Sequence, residues 1–169
     1  GVSLTAAICQ TSALVVKAIQ RRIHSNRKRA YLLSGGVDSS AVAAIGAILE
    51  AIEEPGRKID TFSIGFPGST DLVAARRVAK WIGSNHHWYN VTHAEVIAII
   101  PFVVRNNESH DQTTTRASAL MYMLIRRIVE DTDARVIFSG EGADEMFGGY
   151  LYFHHAPDDE SAFRESRRI

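Results

Sequence analysis

Apolar residues recur along this chain in two alternating rhythms: short apolar runs that suit buried strands, and three-to-four-residue spacings that suit helices. Leu4, Ile8, Leu14, Val15, Ala18, Ile19 and Ile23 suit a packed N-terminal helix over residues 4–23. Tyr31-Leu32-Leu33 reads as a strand. A glycine turn follows it, then a helix with Val42, Ile45, Leu49 and Ile52 at helical spacing. Pro55-Gly56 marks a turn, and Ile59 to Phe66 reads as a second strand. A helix over Leu72–Ile82, with Thr70 or Asp71 as its cap, carries Leu72, Ala75, Val78, Ala79 and Ile82 on one face and ends at Gly83. His87 to Val91 is a third strand candidate, and residues 93–106 form a further helix despite Pro101. After the polar, Thr-rich stretch Asn106–Arg116, another helix presents Ala117, Leu120, Met121, Leu124, Ile125 and Ile128. Arg135-Val136-Ile137-Phe138 is a fourth strand, opening on a glycine-rich acidic loop, Ser139 to Tyr150.

Strands alternating with helices imply an α/β fold with a parallel sheet covered on both faces. Right-handed crossovers then allow a doubly wound order 3-2-1-4, with strands one and four side by side. Ligands bind outside the carboxyl ends of such strands, at the switch point. This sheet is expected to bring Ser34–Ser40 and Ser139–Glu145 together.

Length and charge narrow the classes. The 169 residues fit one domain, and 19 Lys+Arg against 19 Asp+Glu leave no basic field for nucleic acid. Arg21-Arg22-Ile23-His24 and Arg27-Lys28-Arg29 could be taken for a nucleic-acid patch. No aromatics interleave with them, and cations suit a helix C-terminus, so they read as a solvated face. The single cysteine, Cys9, rules out an internal disulfide and a multi-Cys zinc site, and reads as a buried structural residue. No apolar run approaches the ~18 residues of a membrane span. Residues 1–10 lack the pattern of a signal peptide. A soluble, cytoplasmic domain without nucleic-acid or membrane partners is expected. His86-His87 and His154-His155 are adjacent pairs without metal-ligand spacing, and Trp81, Trp88, Tyr122 and Phe147 read as core or turn packing.

Chemistry concentrates in two loops. Ser34-Gly35-Gly36-Val37-Asp38-Ser39-Ser40 joins a strand to a helix N-terminus, offering hydroxyls, a carboxylate and free N–H groups to an anion. The plainer alternative is an ordinary connection with Asp38 or Ser39 as helix cap. The loop is neither a Walker A sequence nor G-x-G-x-x-G. The second loop adds Ser139, Gly140, Glu141, Asp144 and Glu145. Carboxylates beside a polyphosphate need a hard cation between them, and Mg²⁺ held by Asp38 and Asp144 meets that need. Read plainly, Asp38 is a cap and Asp144 a turn residue.

The string S-G-G-x-D-S-S resembles the pyrophosphate-binding PP-loop of ATP pyrophosphatases, which activate acids by adenylation. Thr61–Ser69, Glu108–Ser118 and Ser139–Pro157 (SGEGADEMFGGYLYFHHAP) are similar to stretches of glutamine-dependent asparagine synthetases. The resemblance runs from about Leu32 to Pro157, with Leu120 standing where the family usually has a proline and His110 where an aromatic is common. It implies an adenine nucleotide alpha hydrolase-like fold. Residues matching Leu33, Ile64 and Gly140 would hold adenosine, and Ser34 to Ser40 the pyrophosphate. Asp38 and Asp144 would be the magnesium aspartates. Glu141 would act in aspartate activation, and Thr113 and Arg116 in stabilising the transition state. The implied reaction joins ammonia to aspartate through β-aspartyl-AMP, consuming ATP and releasing AMP and pyrophosphate. Its partners would be aspartate, ATP and ammonia or glutamine, with a covalently linked glutaminase domain in the full-length protein. A homodimer stays open. The chain is expected to be a fragment lacking that domain and the C-terminal part of the synthetase domain. A β-lactam-forming relative that adenylates another carboxylate, and a nucleotide-binding module without turnover, are the alternatives.

Overall fold

A computed structural model describes residues 2–168. It divides into two compact units, the first ending at Ser139 and the second beginning at Gly140. In the first unit, helix α1 (Leu4–Ile23) leads to strand β1 (Arg29–Leu32), then α2 (Val37–Glu53), β2 (Asp60–Gly65), α3 (Thr70–Ile82) and β3 (Asn85–Asn90). Helices α4 (His93–Asn107) and α5 (Gln112–Asp131) precede β4 (Val136–Phe138). All four strands are parallel, in the order β3-β2-β1-β4. Tyr31 lies between Thr61 of β2 and Phe138 of β4. The expected doubly wound sheet is therefore present, with helices on both faces.

β1 is buried along its whole length, and its residues alternate between two cores. Tyr31 and Leu33 pack with Ile19 and Ile23 of α1, Ala43 of α2, Ala75 and Ala79 of α3, and Phe138. Ala30 and Leu32 face the other way, against Phe62 and the α5 residues Leu124 and Ile128. Each large aliphatic chain buried in this way contributes about 1.5–3 kcal/mol. Local signals fix the helix ends. Ser69 Oγ accepts from Leu72 N, and Gly83 closes α3 at φ 73°. Thr92 and Glu95 form a reciprocal capping box at the start of α4.

The cap of α3 is Ser69, one residue before Thr70, because its hydroxyl reaches the third amide of the helix. The polar stretch before residue 117 is already helical from Gln112, with Asp111 as its cap. Only the C-terminal half of α1 packs: Leu4, Ile8 and Leu14 are exposed, and so is Cys9, which is not a buried structural residue. Trp81 is 81% exposed, since it lies off the Leu72/Ala75/Ala79 face that meets the sheet. Trp88 also reaches solvent, with the Arg76 guanidinium over its ring. Phe147 is exposed as well.

The buried row of α2 is not Val42, Ile45, Leu49 and Ile52 but Ser39, Ala43, Gly46 and Glu50. Val42, Ile45 and Leu49 flank the core, and Ile52 is exposed. The reason is Tyr31, whose ring lies where a side chain at position 46 would be, 2.3 Å from an added Cβ. The ring stacks on Phe138 at 4.8 Å, and the hydroxyl donates to Glu50 Oε1 at 2.6 Å. Arg29 donates to both oxygens of the same carboxylate, from Nε at 2.8 Å and Nη2 at 3.1 Å. Arg57 Nε adds a third cationic contact at 3.0 Å. Nη1 of Arg29 reaches back to the carbonyls of Ile23 and Ser25. The bond to Glu50 raises the Arg29 pKa against the opposing effect of burial. Burial first, and then the Glu50 bond, push the Tyr31 phenol up.

Two predictions follow from this packing. Glu50→Ala leaves Arg29 buried without its counter-charge and should cost about 3–5 kcal/mol in urea unfolding, whereas Arg29→Met with Glu50→Leu should recover a large part of that loss. Among the β3 residues, His86 has its pKa lowered below 6.5, by burial first and then by His87 and Arg76. A histidine held neutral by the fold stabilises it above its unfolded pKa. That stability is lost as pH falls below about 6.5. Unfolding measured from pH 7.5 to 5.5 should show this slope, and His86→Gln should flatten it.

Candidate functional site

The site is built where β1 ends. Leu33 continues the ladder by one residue, its N–H donating to Phe62 O at 2.9 Å, and the chain then turns through Ser34, Gly35 and Gly36 into α2. Gly35 adopts φ +86°, and an added Cβ would lie 2.5 Å from the Ala75 amide nitrogen and 2.6 Å from Ala74 Cβ. Its missing side chain makes room for α3. Gly36, in extended conformation at φ −69°, is the N-cap of α2 and has no side-chain cap. Asp38 and Ser39 are therefore not the caps that the plainer reading expected. They lie inside the first turn.

Ser39 is buried, and its hydroxyl turns back into the loop. It shares a hydrogen bond of 2.9 Å with Ser34 Oγ, accepts from Ser34 N at 3.2 Å and donates to Gly36 O at 3.3 Å. Ser34 Oγ accepts from Gly36 N at 3.3 Å. Ser40 Oγ is enclosed without a hydrogen-bond partner. The loop is thus internally bonded and retains one unpaired hydroxyl. The Asp38 carboxylate stands half-buried in the same turn, and such an oxygen donor beside hydroxyls and amides fits a magnesium-bound polyphosphate.

Around this loop the first unit supplies other predicted residues. Ile64 lies near the carboxyl end of β2, half-buried against the α5-facing core. Ser139 follows β4, which pairs directly with β1, and is half-buried. Thr113 and Arg116 are exposed in the first turns of α5. The C-terminal end of α5 delivers the chain to the amino end of β4, so these turns lie at its opposite end. Asp111 caps them, accepting from Thr114 N at 2.7 Å, and this bond holds its carboxyl below the usual range.

The second unit contains α6 (Ala143–Phe147), a 3-10 helix (Leu151–His155) and α7 (Asp159–Ser166), none of which the sequence reading foresaw. Left-handed Gly142 and Gly148, at φ 89° and 65°, bound α6. Asp144 and Glu145 occupy its first turn, and Glu141 is exposed just before it. Any Cβ at Gly149 would sit 2.0 Å from Asp144 Oδ1, so glycine there makes room for the carboxylate. The Tyr150 hydroxyl donates to Glu145 Oε1. This bond lowers the Glu145 pKa and raises that of Tyr150 to about 12.

A groove of about 780 Å³ lies elsewhere, lined by Arg27, Lys28, Arg57, Glu53, Glu54 and Asp133 among others. Several of its charges pair with one another, Lys28 with Asp133 at 3.0 Å and Arg57 with Glu54 at 2.8 Å, which disfavours an anion there. Sequence reasoning missed Ser63, a buried hydroxyl of β2 that donates to the Leu33 carbonyl. The only signal was a serine between Phe62 and Ile64 in a strand at the sheet centre.

Comparison with known proteins adds an independent line. The asparagine synthase family model matches residues 10–168. An asparagine synthetase (glutamine-hydrolyzing) of Gallus gallus is 45% identical over 158 residues, covering 92% of this chain and 28% of that protein. The Mus musculus protein of the same description is 46% identical over 154 residues, or 90% of this chain and 27% of its own length. The chain thus spans about a quarter of the length of these curated relatives. Among solved structures, NAD+ synthetase from Burkholderia pseudomallei aligns with TM-score 0.54 at 13% identity, over 92% of this chain and 65% of that one. NH3-dependent NAD synthetase from Campylobacter jejuni aligns with TM-score 0.52 at 15% identity, over 83% and 59%. At such identities the likeness is one of fold.

The loop geometry separates its two glycines. Gly35→Ala should destabilise the chain by roughly 2–4 kcal/mol, because it combines a left-handed backbone with a collision against α3. Gly36→Ala, whose Cβ would meet only Ser34 Oγ at 3.4 Å, should change stability by about 1 kcal/mol or less. Denaturant unfolding of the two variants checks the contrast.

Proposed function

The chain belongs to the asparagine synthase family, and on that premise we propose that it carries the ATP-binding part of a ligase that amidates aspartate to asparagine. The observation that carries this reading is the Ser34–Ser40 loop. It is an ordered turn at the carboxyl end of a central parallel strand, with bonded hydroxyls, an unpaired Ser40 hydroxyl and an Asp38 carboxylate that does not serve as the helix cap. Such a turn favours phosphate oxygens through N–H groups, hydroxyls and the helix dipole. Leu33, Ile64 and Gly140 are assigned to adenosine. Ser34 to Ser40 and Ser139 are assigned to the phosphates. Asp38 is assigned to Mg²⁺ in the first unit, and for Asp144, in the second, a magnesium role rests on the family resemblance alone.

In the first step, the side-chain carboxylate of aspartate attacks the α-phosphorus of ATP. The bond to the bridging oxygen breaks, pyrophosphate leaves, and β-aspartyl-AMP remains. Ammonia then adds to the activated carbonyl carbon, gives up a proton and displaces AMP, leaving the amide. Bound Mg²⁺ supplies positive charge to the phosphates. The residues of the chain bind and orient: Arg116 offers a planar donor fork to phosphate oxygens, Thr113 a hydroxyl, and Glu141 a carboxylate for handling the aspartyl group. Positioning and electrostatic stabilisation account for most of the acceleration in such a step. Ammonia is supplied from glutamine by a covalently linked glutaminase domain.

The full-length protein should exchange label between pyrophosphate and ATP only when aspartate is present. Asp38→Asn should reduce that exchange by roughly 100-fold or more while leaving the unfolding midpoint in place. Exchange driven by another acid would assign the domain to a different adenylating ligase. Binding of MgATP without any exchange would leave a nucleotide-binding module.

A further inference from the structure

We infer that Ser63 is a positioning residue for the phosphate loop, acting through the Leu33–Ser34 peptide; this rests on the nucleotide reading above. A peptide unit is rigid and planar, so fixing its carbonyl also fixes the direction of its N–H. The carbonyl of this unit belongs to Leu33 and accepts from the buried Ser63 hydroxyl. Its N–H belongs to Ser34, the first residue of the loop, and donates to Ser39 Oγ at 3.2 Å. One peptide plane is therefore held at both poles by side-chain hydroxyls, one from β2 and one from α2.

The two ties differ in kind. Ser39 Oγ is shared among Ser34 N, Ser34 Oγ and Gly36 O, all within the loop, so it can exchange partners when an anion takes the Ser34 N–H. Ser63 is buried at the carboxyl end of the β1–β2 pair, one residue past Phe62, whose carbonyl holds the Leu33 N–H at 2.9 Å. The Ser63–Leu33 bond joins two buried residues and is not shared with the loop hydroxyls. Ser63 thus keeps the first donor of the loop aimed while Ser39 rearranges. A residue that merely satisfied a buried carbonyl would support all parts of a nucleotide equally. A residue that aims the Ser34 N–H supports the phosphates beyond the α position.

The test uses this chain with Ser63→Ala, and with Ser63→Cys as a slightly larger variant that replaces the hydroxyl with a weak donor. Calorimetric titrations with magnesium pyrophosphate, MgATP and AMP are paired with amide exchange measured by NMR on the ligand-free protein. Both variants should weaken pyrophosphate and MgATP about five- to tenfold, the worth of one misaligned hydrogen bond, with AMP within about twofold. Exchange at the Ser34 amide should quicken while the Leu33 amide stays protected. Equal weakening of all three ligands, unchanged affinities, or a general loss of protection through β1 would overturn the inference. If the unsubstituted chain bound none of the ligands, the nucleotide reading would fall, while the Ser34 exchange result would still decide whether Ser63 holds the peptide.

Discussion

A buried carboxylate sets the geometry of the first unit. Glu50 lies about 18 Å along α2 from Asp38, at 1.5 Å per residue, yet it governs where the loop sits. A charge in the interior is tolerated only when paired and hydrogen-bonded. Here the partners come from β1 (Arg29 and Tyr31) and from the turn after α2 (Arg57). Sliding or rotating α2 would strand the charge. The helix is thereby held in register against β1, and its N-terminal turn is fixed relative to the strand end from which the loop departs.

Small residues let the elements close on this hub. Ala43 and Gly46 of α2, and Ala75 and Ala79 of α3, bring both helices close to β1, with Tyr31 occupying the space over Gly46. Gly35 continues this packing into the loop, so its missing side chain serves α3 and not a ligand. Binding then falls to amides and hydroxyls. Because Ser34 and Ser39 already bond one another, the loop is ordered before any anion arrives, which lowers the entropic cost of binding.

The second unit is held differently. Neither α6, the 3-10 helix nor α7 contains a buried residue, and its order comes from left-handed glycines, caps and local bonds such as Tyr150 to Glu145. Met146, Leu151 and Phe163 are exposed on it. The acidic residues assigned to chemistry thus sit on a frame of short turns, in contrast to the packed sheet that carries Ser34–Ser40.

By itself, the sequence determined the four strands, their parallel arrangement and the motif at Ser34–Ser40, and it restricted the strand order to a few topologies that include the observed β3-β2-β1-β4. Those follow from local periodicity, glycine punctuation and the handedness of crossovers, which act over a few residues or obey general chain sterics. It also pointed to the family through Ser139–Pro157. Tertiary structure alone decided which face of α2 is buried, since Val42, Ile45, Leu49 and Ile52 made the more apolar face in sequence. The choice of Ser39, Ala43, Gly46 and Glu50 depends on a tyrosine and two arginines from other segments. It likewise exposed Cys9 and Trp81, turned Ser39 from a cap into the centre of the loop, and set Ser63 against Leu33. The buried face of α2 and the Ser63–Leu33 contact depend on partners distant in the chain, and the free energy of a buried polar group is set by such partners.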